Sequence, residues 1–157
     1  MNKKTLIAGV VLILVALIVG LVVLVPKMFD QVTGVEKTEI TSLVEDFGKT
    51  LSKVDKVAPS DIVSQNIKEL YSPFLTDNLI LQWTFDPSKA LGRVCSSPWP
   101  DRIQILSMEK LDAYTVKVKG YVVWAASGGN GNLEVTEKVP VVVILRKDSS
   151  TQKFKIY

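Results

Sequence analysis

The chain reads as an α+β protein: an N-terminal transmembrane helix, then helices packed on a four-stranded antiparallel sheet. Three observations predict this. Leu6 to Val25 is a run of twenty residues with no polar or charged side chain. Residues 33–92 place apolar side chains at helical spacing between proline and glycine stops. From Arg102 onward the apolar period changes to two, as a half-buried strand requires.

The first element is the apolar run. Twenty helical residues rise about 30 Å, the thickness of a bilayer's hydrocarbon core. A cleaved signal peptide has a shorter apolar stretch and small residues at its cleavage site. Here the run ends Val-Val-Leu-Val-Pro-Lys-Met-Phe, which is bulky at that point. The expectation is an uncleaved signal-anchor: residues 1–5 cytoplasmic, 6–25 in the bilayer, 26–32 a juxtamembrane link and 33–157 an exported domain. Lys3, Lys4 and the terminal amine precede the run, while Lys27 is soon offset by Asp30 and Glu36. So short and positive an N-terminus stays inside.

Thr33-Gly-Val-Glu36 has capping-box spacing and opens the first helix of the domain. Ile40, Leu43, Val44, Phe47, Leu51 and Val54 form one apolar stripe, expected to pack on a sheet and to run until Pro59. Ser60 is expected to cap a second helix carrying Ile62, Val63, Ile67, Leu70 and Tyr71, ended by Pro73. Thr76 is expected to cap a third, carrying Leu79, Ile80 and Trp83. Asp86-Pro87 starts a short turn, and Arg93 to Asp101, with Ser96, Ser97, Pro98 and Pro100, is expected to be a loop.

Strands follow. Ile103 and Ile105 alternate with polar residues; Leu111-Asp-Ala113 turns the chain; Val116, Val118, Gly120 and Val122 face inward. Tyr121 to Trp124 leaves no polar face, so both sides of the sheet should be covered there. Ser127-Gly-Gly-Asn-Gly-Asn132 is a hairpin signal. Leu133, Val135, Val139, Val141, Val143 and Leu145 are expected to face the core, with Pro140 at an edge or bulge. Lys147 to Ser150 turns into a last strand carrying Phe154 and Ile156.

Composition excludes much. With no histidine there is no Ser-His-Asp triad, Cys-His pair or histidine metal site. Cys95 is the only cysteine, so no disulfide forms within the chain, and it reads as a packed side chain. No phosphate-binding glycine motif is followed by a helix, so no cofactor is expected. After the run there are 17 cations and 16 carboxylates. Lys117/Lys119 and Lys153/Lys155 read as solvated strand faces, and no nucleic-acid partner is expected.

Helices followed by an antiparallel sheet that closes on Lys-Phe-Lys-Ile156 resemble the NTF2-like (cystatin-like) α+β superfamily. Tyr71-Ser-Pro-Phe-Leu-Thr-Asp-Asn-Leu79 is similar to that family's helix junction. With one span before the domain, the chain is similar to VirB8/TcpC-type components of bacterial conjugation. The resemblance implies a curved sheet and a cone whose interior can hold a pocket. Asp46, Tyr71, Trp83 and Tyr121 are the candidate pocket residues, and Asp77, Asp101 and Tyr114 are further polar groups within reach of it. An Asp base beside a Tyr donor is the chemistry an isomerase would use. These residues read instead as boundary and cap positions, so no catalytic residue is assigned. Trp99, with Asp101 and Arg102, is the candidate partner contact, with core packing the alternative for Trp99.

The expected function is a membrane-anchored, non-catalytic extracytoplasmic scaffold or assembly domain of a secretion or conjugation system. The expected partners are the lipid bilayer through 6–25 and other proteins or a second copy. The alternative is a membrane-tethered binder of a small apolar ligand.

Overall fold

The computed structural model describes residues 32–129 and 131–157; the expected anchor at 6–25 lies outside them. Among the described residues no helix is long and apolar enough to cross a membrane. They fold as an α+β unit with three α-helices and a curved four-stranded antiparallel sheet.

Helix α1 spans Gly34–Thr50. Thr33 is its N-cap, and both halves of the capping box form: the Thr33 hydroxyl accepts from the Glu36 amide, and the Glu36 carboxylate accepts from the Thr33 amide. Ile40, Val44, Phe47, Leu51 and Val54 are all buried. The helix ends nine residues before Pro59, passing through a 3-10 turn at Leu51–Lys53. Tertiary pairing stops it. Val54 is extended, its carbonyl accepts from the Arg93 amide at 2.8 Å, and Asp55 bridges Arg93.

Helix α2 spans Ser60–Tyr71 and buries Val63, Ile67 and Tyr71. Pro59, and not Ser60, holds the cap position; its carbonyl accepts from Val63 at 3.0 Å, and no side chain caps the helix. Helix α3 spans Asp77–Phe85 behind Thr76, whose hydroxyl makes no capping bond. Asp86 does cap the 3-10 turn at Pro87–Lys89, accepting from the Ser88 amide.

The sheet is a meander in the order β1-β2-β3-β4: Trp99–Lys110, Thr115–Ser127, Leu133–Lys147 and Phe154–Ile156. Strand β1 therefore starts inside the expected loop. Pro100 is accommodated because β1 is an edge strand, where a missing N–H need not face a neighbour. Register shifts at Pro100/Arg102, Ile105/Ser107 and Trp124/Ala125 bend the strands. One face meets the helices: Ile103, Val116, Val118, Val122, Val143, Leu145, Phe154 and Ile156 join the helical side chains in the core. Gly48 lies where α1 crosses β1, and a Cβ there would collide with the Ile103 amide nitrogen.

The first eight residues of β3 are all exposed. Leu133, Val135 and Val139, expected to face the core, are 60%, 50% and 38% exposed. Val139 pairs with the core residue Val122 at the margin of the core, whereas the register shift at Trp124/Ala125 inserts an extra residue in β3 and sets Leu133 and Val135, opposite Ser127 and Ala125, on the face away from the helices. Pro140 pairs with Tyr121 on an otherwise continuous strand, and β4 covers only Leu145–Lys147 on the far side. Pro140 thus stands on an open edge, as expected.

Candidate functional site

The candidate pocket residues do not converge. Tyr71 is completely buried, edge-on to Phe47 at 5.1 Å and to Trp83 at 6.0 Å between ring centroids. Its hydroxyl donates to the Leu91 carbonyl at 2.8 Å, and burial pushes the phenol's pKa up. Tyr71 is a strut between α2 and the segment after α3, and Trp83 packs against the same core. Asp46 lies on the surface of α1, ion-paired to Lys49 at 2.9 Å. That carboxylate, one turn away, raises the Lys49 pKa. Tyr121 alternates with the core residues Gly120 and Val122, so it lies on the sheet face away from the helices. An Asp–Tyr acid–base pair drawn from Asp46 and Tyr71 has no common face from which to act.

The candidate contact residues do come together. Trp99 is half-buried at the start of β1 and pairs with Ala125. Asp101 sits at the register shift between Pro100 and Arg102, and the Arg102 guanidinium donates to its carboxylate. Asp101 and Arg102 therefore satisfy each other. Asp77 lies in the first turn of α3, where a carboxylate favours the helix dipole. Tyr114 is 63% exposed in the β1–β2 turn. The Cys95 thiol donates to the Pro98 carbonyl at 3.1 Å. Among the described residues no group of three or more Cys, Asp or Glu side chains could hold a metal ion.

The charged group that joins the most distant segments lies elsewhere, and sequence reading found only half of it. Glu36, 14% exposed, accepts from Lys110 at the end of β1 and from Lys147 at the end of β3, each at 3.2 Å. Burial raises its pKa, but the two lysines and Thr33 more than offset this and hold the carboxyl at about 2. The lysines lie 74 and 111 positions away in sequence, and no local pattern signals them. A second clasp closes the loop before β1: Arg93 binds Asp55 at 2.6 Å, and Lys56 donates to the carbonyls of Ser88 and Ala90.

What the surface offers is apolar contact area. Phe85 is 93% exposed and Leu81, one turn earlier on α3, is 67% exposed. No family model, curated protein or solved structure matches this chain.

Proposed function

We propose that the chain is a membrane-anchored, non-catalytic scaffold whose exported α+β domain, of NTF2-like type, serves an assembly such as a secretion or conjugation channel. The observation that carries this reading is the use of the domain's polar and aromatic groups. Tyr71 braces the core, Asp46 pairs with a neighbour in solvent, and Glu36 locks a helix to two strands. Tyr71 and Glu36 are thus committed to holding the fold, and Asp46 is engaged by its own neighbour. Meanwhile Phe85, Leu81, Leu133 and Val135 stand exposed, as contact surfaces require. The apolar run at 6–25 supports the tether, and Lys3 and Lys4 before it support an inside N-terminus.

The test is cross-linking in intact membranes, then detergent extraction and pull-down of the full chain. A defined set of co-purifying membrane or envelope proteins is expected. Recovery of this chain alone, or a protein that extracts without detergent, refutes the reading.

A further inference from the structure

We propose that the sheet face turned away from the helices is the docking surface for an acidic polypeptide segment bearing apolar side chains. This rests on the assembly reading and names the chemistry of the partner. Alternation from the core residues fixes which side chains this face carries. Its charged side chains are Arg102 and Glu109 on β1, Lys117 and Lys119 on β2, Lys138 and Arg146 on β3, and Lys155 on β4. The face holds six cations against two carboxylates, Asp101 included. The rest of residues 32–157 holds ten cations against thirteen carboxylates. A unit with a net charge of only +1 has thus separated its charge, +4 on one face and −3 on the remainder.

Three of the cations are available. Arg102 pairs with Asp101, Lys117 pairs with Glu109 at 2.6 Å, and Lys155 donates to the Ser72 carbonyl. Among the described residues Lys119, Lys138 and Arg146 form no salt bridge; Lys119 and Arg146 act on Glu109 and Asp112 only through space, Lys138 reaches the Gln104 side-chain oxygen, and Arg146 lies over the Tyr157 ring. Lys138 stands opposite Val123 and Arg146 opposite Thr115, each four residues along β2 from Lys119. At about 3.3 Å per residue the three span about 26 Å. Between them lie Tyr121, Pro140, Ile144 and Val142, the last 59% exposed. Each available cation is therefore flanked by apolar side chains. Nucleic acid needs a denser track of cations along its phosphates. Carboxylates interleaved with apolar side chains on an extended or helical segment match this spacing.

The test uses the full chain in detergent micelles and a fluorescein-labelled 16-residue peptide of alternating glutamate and valine, read by anisotropy. Saturable binding is expected in about 50 mM salt, weakened at least fivefold in about 300 mM, where the Debye length is well below the cation spacing. Lys119→Glu with Lys138→Glu should weaken it at least fivefold, and Val142→Ser at least twofold. Lys49→Glu with Lys53→Glu, on the helical layer, should leave it within twofold. Tryptophan fluorescence checks folding, and Lys119→Gln with Lys138→Gln serves if the charge reversal unfolds the domain. No binding, equal binding by the outer-face variants, or tighter binding of a 20-nucleotide oligothymidylate overturns the proposal. If cross-linking still captures the same partners after Lys119 and Lys138 are reversed, this assignment fails while the assembly reading stands.

Discussion

Replacing Glu36 by glutamine should open the end of the domain where the described chain begins. The carboxylate joins three elements: it closes the capping box of α1 and accepts from lysines at the ends of β1 and β3. Glutamine keeps the shape and can still accept from Thr33, but it leaves Lys110 and Lys147, 17% and 23% exposed, without their counter-charge. The magnitude follows from the carboxyl's pKa. A fall from 4.5 to about 2, at about 1.4 kcal/mol per unit, sets a ceiling of about 3.4 kcal/mol. Water and salt still reach the lysines, so the expected loss is about 2 kcal/mol. The sign also follows. A carboxyl whose folded pKa is depressed contributes fully above its unfolded pKa and loses that contribution as pH falls through the folded one. The stability gap between wild type and Glu36→Gln should therefore be constant above about pH 5.5, narrow below about 4.5 and close near about 2. Taking the difference removes the other carboxylates with depressed pKa, such as Asp148, held at about 2 by Ser150 and Thr151. The assay is urea unfolding of the full chain in detergent, read by the three tryptophans, all of which lie in the described part. A gap below about 0.5 kcal/mol at neutral pH, or one that does not change with pH, refutes the reasoning.

Tyr71→Phe should cost about 1–2 kcal/mol, because the Leu91 carbonyl loses its donor in the interior; an unchanged urea midpoint would show that the hydroxyl is not a strut. Gly48→Ala decides between two effects. Helix propensity alone predicts a gain of about 1 kcal/mol, whereas the collision with the Ile103 amide nitrogen predicts a loss of about 2 kcal/mol, and thermal unfolding reads the sign directly. Pro140→Val should promote self-association. Ile144 presents its carbonyl to Tyr157 on the outer edge of β3, so the even-numbered Pro140 turns its nitrogen to the same edge, and valine would restore a donor there. Sedimentation of the variant in detergent should show larger species as concentration rises, and a wild-type profile would count against edge protection.

The local rules that predicted the helices are satisfied inside a few residues, which is why they were legible. Thr33 and Glu36 find each other three positions apart, and the helical spacing from Ile40 to Val54 picks out the buried face before the partner that covers it is known. Where a distant segment intervenes, the sequence rule fails. Pro59 was a sound stop signal, yet Arg93 pairs with Val54 and Asp55 first and ends α1 early. Period two puts Leu133 and Val135 on the same face as Val139, but it does not signal the extra residue near Thr136 that turns them to the other face. Tyr121 is a different case. The period that sets Gly120 and Val122 inward already turns it outward, so a place in the pocket conflicts with the strand's own alternation. Val123, which also faces outward, is 0% exposed. The covered outer face at this point had been expected, and it has a visible cause. Val123 pairs with Arg102 and Lys138, and Lys138 reaches across it to Gln104. Long side chains of this kind cover apolar neighbours with their stems.

Sorting side chains by strand face also separates two kinds of constraint. Inward positions such as Val116, Val118, Val143 and Leu145 answer to packing, and a polar residue at any of them would cost stability. Exposed outward positions answer to packing far less. Exposed charges like Lys119 and Arg146 add little to folding, and serine or glutamate would serve the sheet as well. On the helical layer cations sit beside carboxylates, Lys49 with Asp46 and Lys89 with Asp86. On the outer face the signs do not balance, and the cations are set among valine, isoleucine, proline and tyrosine. Self-repulsion and apolar exposure both work against such a face in an isolated domain. A partner that supplies carboxylates and covers Val142 relieves both at once, which ties the charge pattern to recognition and not to folding.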